Sequence, residues 1–193
     1  MEKQHLCSTE TFGEDELEAS LQIINAHHQL SCGREINLQR LSELVGKNGK
    51  LHRCRPTMFS CRIISKRVQF FPNGTVQVLG GNVTTTLLSR LHEKVYHLLR
   101  LCHSTRSLSL SPWKVNNVVI CFHYDKRFNF YHIPCNKDFS YEPEIFPAAL
   151  MSKWAPSHVT VFPNGKGMIT GVKSKVEALH VLRQFLLFYE STL

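Results

Sequence analysis

The alternation of apolar and polar positions organises this chain before any motif does. Val68, Phe70, Val76 and Val78 interleave with Arg67, Gln69, Thr75, Gln77 and Leu79, the period-two pattern of two half-covered strands. Between them lies Pro72-Asn73-Gly74. Proline suits the first central position of a type I turn, asparagine the second, and glycine the left-handed position that follows. The pattern predicts a three-residue hairpin loop with a bulge at the glycine. That turn sets Phe71 opposite Thr75, Gln69 opposite Gln77 and Arg67 near Leu79. Further on, Leu87, Leu88, Leu91, Val95, Leu98 and Leu99 recur at helical spacing and predict an amphipathic helix over about 84–101. Upstream, 21–30 reads as a strand and 37–45 as a helix capped by Asn37.

The pattern then repeats. Phe71-Pro72-Asn73-Gly74 returns 91 residues later as Phe162-Pro163-Asn164-Gly165. Val68-Gln69-Phe70 precedes the first copy and Val159-Thr160-Val161 the second. A short strand, a glycine (Gly80 or Gly171) and an amphipathic helix follow each. The second helix is expected over 175–190, with Val176, Leu179, Leu182, Leu186 and Tyr189 on its stripe and a Ser174/Glu177 capping box. Residues 115–124 and 128–133 supply two more predicted strands. The chain thus divides into a loose tail (1–17), a first repeat (18–103), a Ser/Leu-rich connection (104–112) and a second repeat (113–193).

The turn chemistry also assigns faces. Val68, Phe70, Val76, Val78, Val159, Val161 and Ile169 are uniformly apolar and belong under the helices. The opposite face carries Gln69, Gln77, Thr160, Lys166 and Met168 around Phe71 and Phe162, and is expected to be bare. Two phenylalanines at equivalent places on an uncovered sheet read as wedges of the kind that unstack base steps in the minor groove. A net charge of +8 agrees with a polyanionic partner, either nucleic acid or an anionic membrane surface.

Other chemistry is less well supported. No apolar run approaches the roughly 18 residues that a membrane span needs. The opening Met1-Glu2-Lys3-Gln4-His5, followed by Glu14-Asp15-Glu16, is unlike a signal peptide. Cys7, Cys32, Cys54, Cys61, Cys102, Cys121 and Cys135 are odd in number and scattered, so reduced, buried thiols are expected, with no zinc site or disulfide framework. His27 and His28 adjoin in a predicted strand, so their side chains point to opposite faces and cannot share a metal ion. Glu142 and Glu144 have no nucleophile or phosphate loop near them in sequence. The aromatic run Phe122, Tyr124, Phe128, Phe130, Tyr131 reads first as strand core, with stacking on single-stranded bases as the alternative. No cofactor, metal, small-molecule substrate or enzymatic activity is expected.

Several of these motifs resemble the TATA-box-binding proteins, most closely over 113–190. Phe139-Ser140-Tyr141-Glu142-Pro143-Glu144-Ile145-Phe146-Pro147 is similar to that family's F-S-S-Y-E-P-E-L-F-P segment with one serine missing. Residues 161–173 resemble its I-F-V-S-G-K-x-V-L-T-G-A-K, and Asn116-Asn117-Val118-Val119 its Q-N-I-V. In the first unit, Leu21-Gln22, Leu30-Ser31-Cys32 and Phe71 to Gly80 echo the family more faintly, and the stretch from Phe59 to Phe71 is shorter than its counterpart.

The resemblance implies an α+β fold: a pseudo-two-fold saddle with a curved, ten-stranded antiparallel sheet and four helices on its convex side. It implies duplex DNA as the partner, bent through the minor groove by four phenylalanines, Phe59, Phe71, Phe146 and Phe162. Asn117, Val119, Met168 and Thr170 would contact base edges beside them, together with Gln69, Gln77, Leu79 and Asn25 of the first half. Ile23 would occupy the place of the family's second central asparagine, with Asn25 two residues on. Leu79 stands where the family has threonine, and Gln69, Gln77 and Thr160 replace apolar residues. The flanking arginines are not cleanly retained, although Lys66, Arg67 and Lys153 lie nearby. Transcription factor IIB-like proteins would dock on Glu142, Glu144 and Ile145, with a IIA-like factor as a further partner. The expected location is the nucleus, or the site of viral transcription, since such divergence suits a virus-encoded or lineage-specific paralogue. The rival reading keeps the saddle as a protein–protein adaptor without DNA binding. A third makes it an accessory domain of a nucleic-acid enzyme.

Overall fold

Ten strands, each antiparallel to its neighbours, form one open sheet in the computed structural model, which describes residues 20–54, 57–81 and 83–193. The chain runs β1 (Gln22–Ser31), α1 (Leu38–Val45), β2 (Gly49–His52), β3 (Met58–Ile63), β4 (Lys66–Phe70), β5 (Thr75–Leu79) and α2 (Thr85–His103). It continues through β6 (Lys114–His123), β7 (Phe139–Ser140), β8 (Ala149–Met151), β9 (His158–Val161), β10 (Lys166–Val172) and α3 (Lys175–Glu190). Across the sheet the order is β2-β3-β4-β5-β1-β6-β10-β9-β8-β7, so β1 and β6 meet at the centre. The expected tail, Cys7 and the acidic patch at 14–16 lie outside the described residues.

Helix starts follow the local chemistry. Asn37, Thr84 and Ser174 each accept a hydrogen bond from the backbone N–H three residues on. The Glu177 carboxylate reaches back to accept from the Lys173 N–H at 2.7 Å. Two cores result, one per half. Leu41, Phe59, Phe70, Leu91 and Leu99 fill the first. Ile120, Phe130, Phe139, Ile169 and Phe185 fill the second.

The halves are laced together. Leu21, just before β1, is buried in the core of the second half. Trp113, just before β6, packs on the core of the first, and its indole N–H donates to the Leu88 carbonyl at 3.0 Å.

Each hairpin is clasped to the end of its own half's first strand. Phe71 N–H donates to Thr75 O at 2.9 Å and Phe162 N–H to Lys166 O at 2.8 Å, closing the predicted three-residue loops. The turn carbonyls are then taken up from outside. Cys32 and Ile36 N–H donate to Gly74 O and Pro72 O, while Tyr124 and Phe128 N–H donate to Gly165 O and Pro163 O. Gly74 and Gly165 have φ of 86° and 85°, a conformation that costs glycine little. A Cβ on Gly165 would fall 1.8 Å from Tyr124 O, so no other residue fits that approach.

Four expectations need correction. Among the described residues there are three α-helices, not four. The second-half counterpart of α1 is an irregular stretch, because Pro134 lacks an N–H and Asn136 draws the Asp138 and Phe139 N–H groups into a local turn. The strand expected at 128–133 belongs to that same stretch. Phe128 and Phe130 alternate inward, but the Phe128 N–H donates to Pro163 O and the Asn129 N–H to the Tyr189 hydroxyl rather than to a neighbouring strand. Val176, expected on the buried stripe of α3, is 75% exposed, and Val181 and Phe185 are buried instead. Finally, Cys54 and Cys135 are exposed; among the described residues only Cys32, Cys61 and Cys102 are buried thiols.

His28 is buried, with no partner for Nδ1 among the described residues. Burial, and then the neighbouring His27, lower its pKa from the ordinary 6.5. The unfolded chain therefore binds the proton more readily, and stability falls as pH drops below 6.5 toward the lowered native value. We expect His28→Ile, which copies the equivalent Ile120, to flatten this loss in urea midpoints between pH 7.5 and 5.5. Gly165→Ala should cost about 2 kcal/mol or more of unfolding free energy. Gly33→Ala, with φ of 68° but nothing within 4 Å of the new Cβ, should cost about 1 kcal/mol.

Candidate nucleic-acid interface

The register makes the halves comparable position by position. His28 opposes Val78 as Ile120 opposes Ile169, and Gln29 opposes Gln77 as Cys121 opposes Met168. Counting back along each strand pairs His27 with Val119 and Asn25 with Asn117 as equivalents. The central seam agrees, since Asn25 lies opposite Val119 and His27 opposite Asn117. Ile23 is therefore not the position of the second central asparagine; Asn25 is. The pairing register, counted from the hairpins, locates that position where sequence spacing alone does not.

Among the described residues, one face of the sheet carries no helix. Phe71, Phe162, Gln69, Gln77, Leu79, Asn117, Val119, Met168 and Thr170 are all half-buried on it, and Asn25 is exposed. Asn117 is held in place, because its Oδ1 accepts the Gly171 N–H at 2.9 Å. That bond fixes the amide orientation and presents the Nδ2 amino group as a donor. Asn25 has no matching tether, since the equivalent Gly80 N–H donates to Ala26 O instead, at 3.2 Å.

The wedge is built in the second half. A turn at Glu142, whose carbonyl accepts both the Ile145 and the Phe146 N–H at 2.9 Å, brings Phe146 over Phe162. The rings stand 6.1 Å apart at 60°, and Phe146 is 42% exposed. The first half differs. Phe59 is fully buried against Phe70 and the Gly49 backbone, on the helix side of β3. It cannot line the open face, and its placement there is corrected. Phe59 opposes Phe70 as Ala149 opposes Val161, so Phe146 corresponds to Pro56, which lies outside the described residues. Phe71 thus has no phenylalanine at the position that pairs with Phe162.

Three residues on the open face have no motif to announce them: His27, Gln29 and Arg62. Only the period-two alternation of β1 and β3 could have found them. Arg62 sits opposite Arg67, both exposed and without an ion pair among the described residues. Of the other nearby cations, Lys66 donates to Gly81 O at 2.6 Å, and Lys153 lies over the Phe188 ring on the helix side. His27 and His28 do face opposite ways, one on the open face and one buried. Glu142, Glu144 and Ile145 are exposed on the turn that carries Phe146, Ile145 at 80%. Of the aromatic run, Phe122, Phe128 and Phe130 are core, whereas Tyr131 is 77% exposed.

Comparison with known proteins bears on the same region. The family model for transcription factor TFIID (or TATA-binding protein, TBP) matches residues 112–188. The solved structure of Methanococcus jannaschii TBP superposes with a TM-score of 0.67 at 20% identity, covering 89% of this chain and 99% of that one. No curated protein matches the sequence.

The placement separates two kinds of phenylalanine. Phe59→Ala should cost about 3–5 kcal/mol of stability by opening a cavity. Phe146→Ala should cost less, about 1 kcal/mol, since the residue is already 42% exposed. Urea denaturation of the two variants measures the contrast.

Proposed function

Starting from a TBP-like protein, we propose that its open face grips duplex DNA from the minor-groove side and bends it, and that its second half recruits a general transcription factor. The observation that carries this reading is the Phe146–Phe162 pair, two apolar rings tilted against each other beside a turn, on a sheet face that no described helix covers. A soluble protein has little reason to hold two aromatic rings in water, and insertion between base pairs would bury them. Asn117 supports the same geometry. Its tethered amide presents a donor at the seam, and the minor groove of A·T pairs offers only the N3 and O2 acceptors.

Charge supports it as well. Arg62 and Arg67 face each other across two strands, an arrangement that costs stability in isolation. Phosphates along the groove edge would offset that repulsion. Binding should then weaken steeply with salt as condensed counterions are released.

The turn at Glu142 supports the recruiting role. Glu142, Glu144 and Ile145 are exposed and are not needed to hold the fold, so a transcription factor IIB-like protein with a basic, apolar-centred surface could take them. Nuclear location, or the site of viral transcription, follows from this role rather than from any address read in the chain. A IIA-like partner belongs to the same proposal. The adaptor reading is favoured by one observation, the polar first-half face, where Gln29, Gln69 and Gln77 replace an apolar belt.

Gel shift and end-labelled resonance energy transfer on short duplexes test the proposal. We expect salt-sensitive binding with bending, and at least tenfold weaker binding for Phe146→Ala/Phe162→Ala. Equal affinity of that double variant would sink the wedge. Absence of duplex binding near physiological salt, with capture of a IIB-like factor that Glu144→Arg abolishes, would favour the adaptor instead.

A further inference from the structure

The two halves of the open face differ most along one row. Gln29, Gln77 and Gln69 lie side by side across β1, β5 and β4, and their equivalents across β6, β10 and β9 are Cys121, Met168 and Thr160. All six are half-buried, so each row forms a floor rather than a fringe. Gln77 Nε2 donates to Gln29 Oε1 at 3.4 Å, a long bond that holds the carboxamides loosely against each other.

A minor-groove floor meets either acceptors alone, at A·T pairs, or acceptors plus the guanine N2 amino donor, at G·C pairs. Met168 and Cys121 have little to offer that amino group, so it would be stripped of water and left unpaired. A glutamine can turn its carboxamide to present oxygen to the guanine amino group or nitrogen to N3 and O2. Resting on the DNA-binding reading above, we propose that the glutamine row makes the first half tolerant of G·C pairs while the second half demands A·T. The site is then asymmetric, and the G·C-containing end lies under the first half. Gln29, Gln69 and Gln77 are the specificity-determining residues.

The test uses the full chain and three duplexes of equal length. One holds only A·T pairs in the contacted region, one has two G·C pairs in one half, and one has two in each half. Fluorescence anisotropy should give affinities within about threefold for the first two and at least about tenfold weaker for the third, the size of one unpaired minor-groove donor. Gln77→Met/Gln69→Thr copies residues that the second half already accommodates. Its affinity for the one-sided duplex, relative to its own affinity for the all-A·T duplex, should fall about tenfold below the parent's ratio. An unchanged urea midpoint certifies the variant's fold. The proposal is overturned if the parent rejects the one-sided duplex as strongly as the two-sided one. It is overturned as well if the variant tolerates G·C as the parent does. No binding to any of the three duplexes would instead remove the DNA-binding reading, and this proposal with it.

Discussion

The pairing of β1 with β6 is the constraint on which the rest of the molecule depends. It joins the two halves in one continuous hydrogen-bonded sheet, and its register places Asn25 opposite Val119 and Asn117 opposite His27. The seam is reinforced from below, because Leu21 and Trp113 each bury in the core of the half they do not belong to. A sheet spliced in this way cannot hinge at its centre without exposing both residues. The three described helices can then lie on one side, and no described helix covers the other.

Duplication supplies the framework, and divergence supplies the character. The hairpins, their clasps and their glycines repeat almost atom for atom between the halves. The side chains on the open face do not. The second half keeps a paired aromatic wedge and a largely apolar floor, whereas the first has a glutamine floor, two facing arginines and a single phenylalanine. Substitution on the bare face leaves both cores intact, which is why the halves could part company there. The buried faces changed mostly in size: Val68, Phe70, Val76 and Val78 answer to Val159, Val161, Gly167 and Ile169, all buried.

Most of the fold was legible because its signals are local. The Pro-Asn-Gly turns fixed the hairpin pairing, and with it which residues face the helices; every pair so inferred is present. The misreadings share one cause, in that tertiary contacts decided what local pattern could not. Phe128 and Phe130 alternate like a strand, yet Tyr189 and Pro163 satisfy the backbone around them. Val176 has the spacing of a core residue but sits in the first turn of α3, 75% exposed. Phe59 carries the residue type of a wedge on the wrong parity of its strand. The Asn25 equivalence rests on the register of β1 with β5 and β6, visible only once the strands are seen together.

The clasp behind each hairpin has a mechanical consequence. Pro163 and Gly165 are gripped through their carbonyls by the chain beyond β6, and the glycine leaves no slack between the two backbones. A load applied at the tip of Phe162 therefore passes into the sheet as into an anvil and is not absorbed by a yielding loop. On the DNA-binding proposal, such a tip set against a stack of base pairs would leave the nucleic acid as the softer body, and the shape change would fall on it.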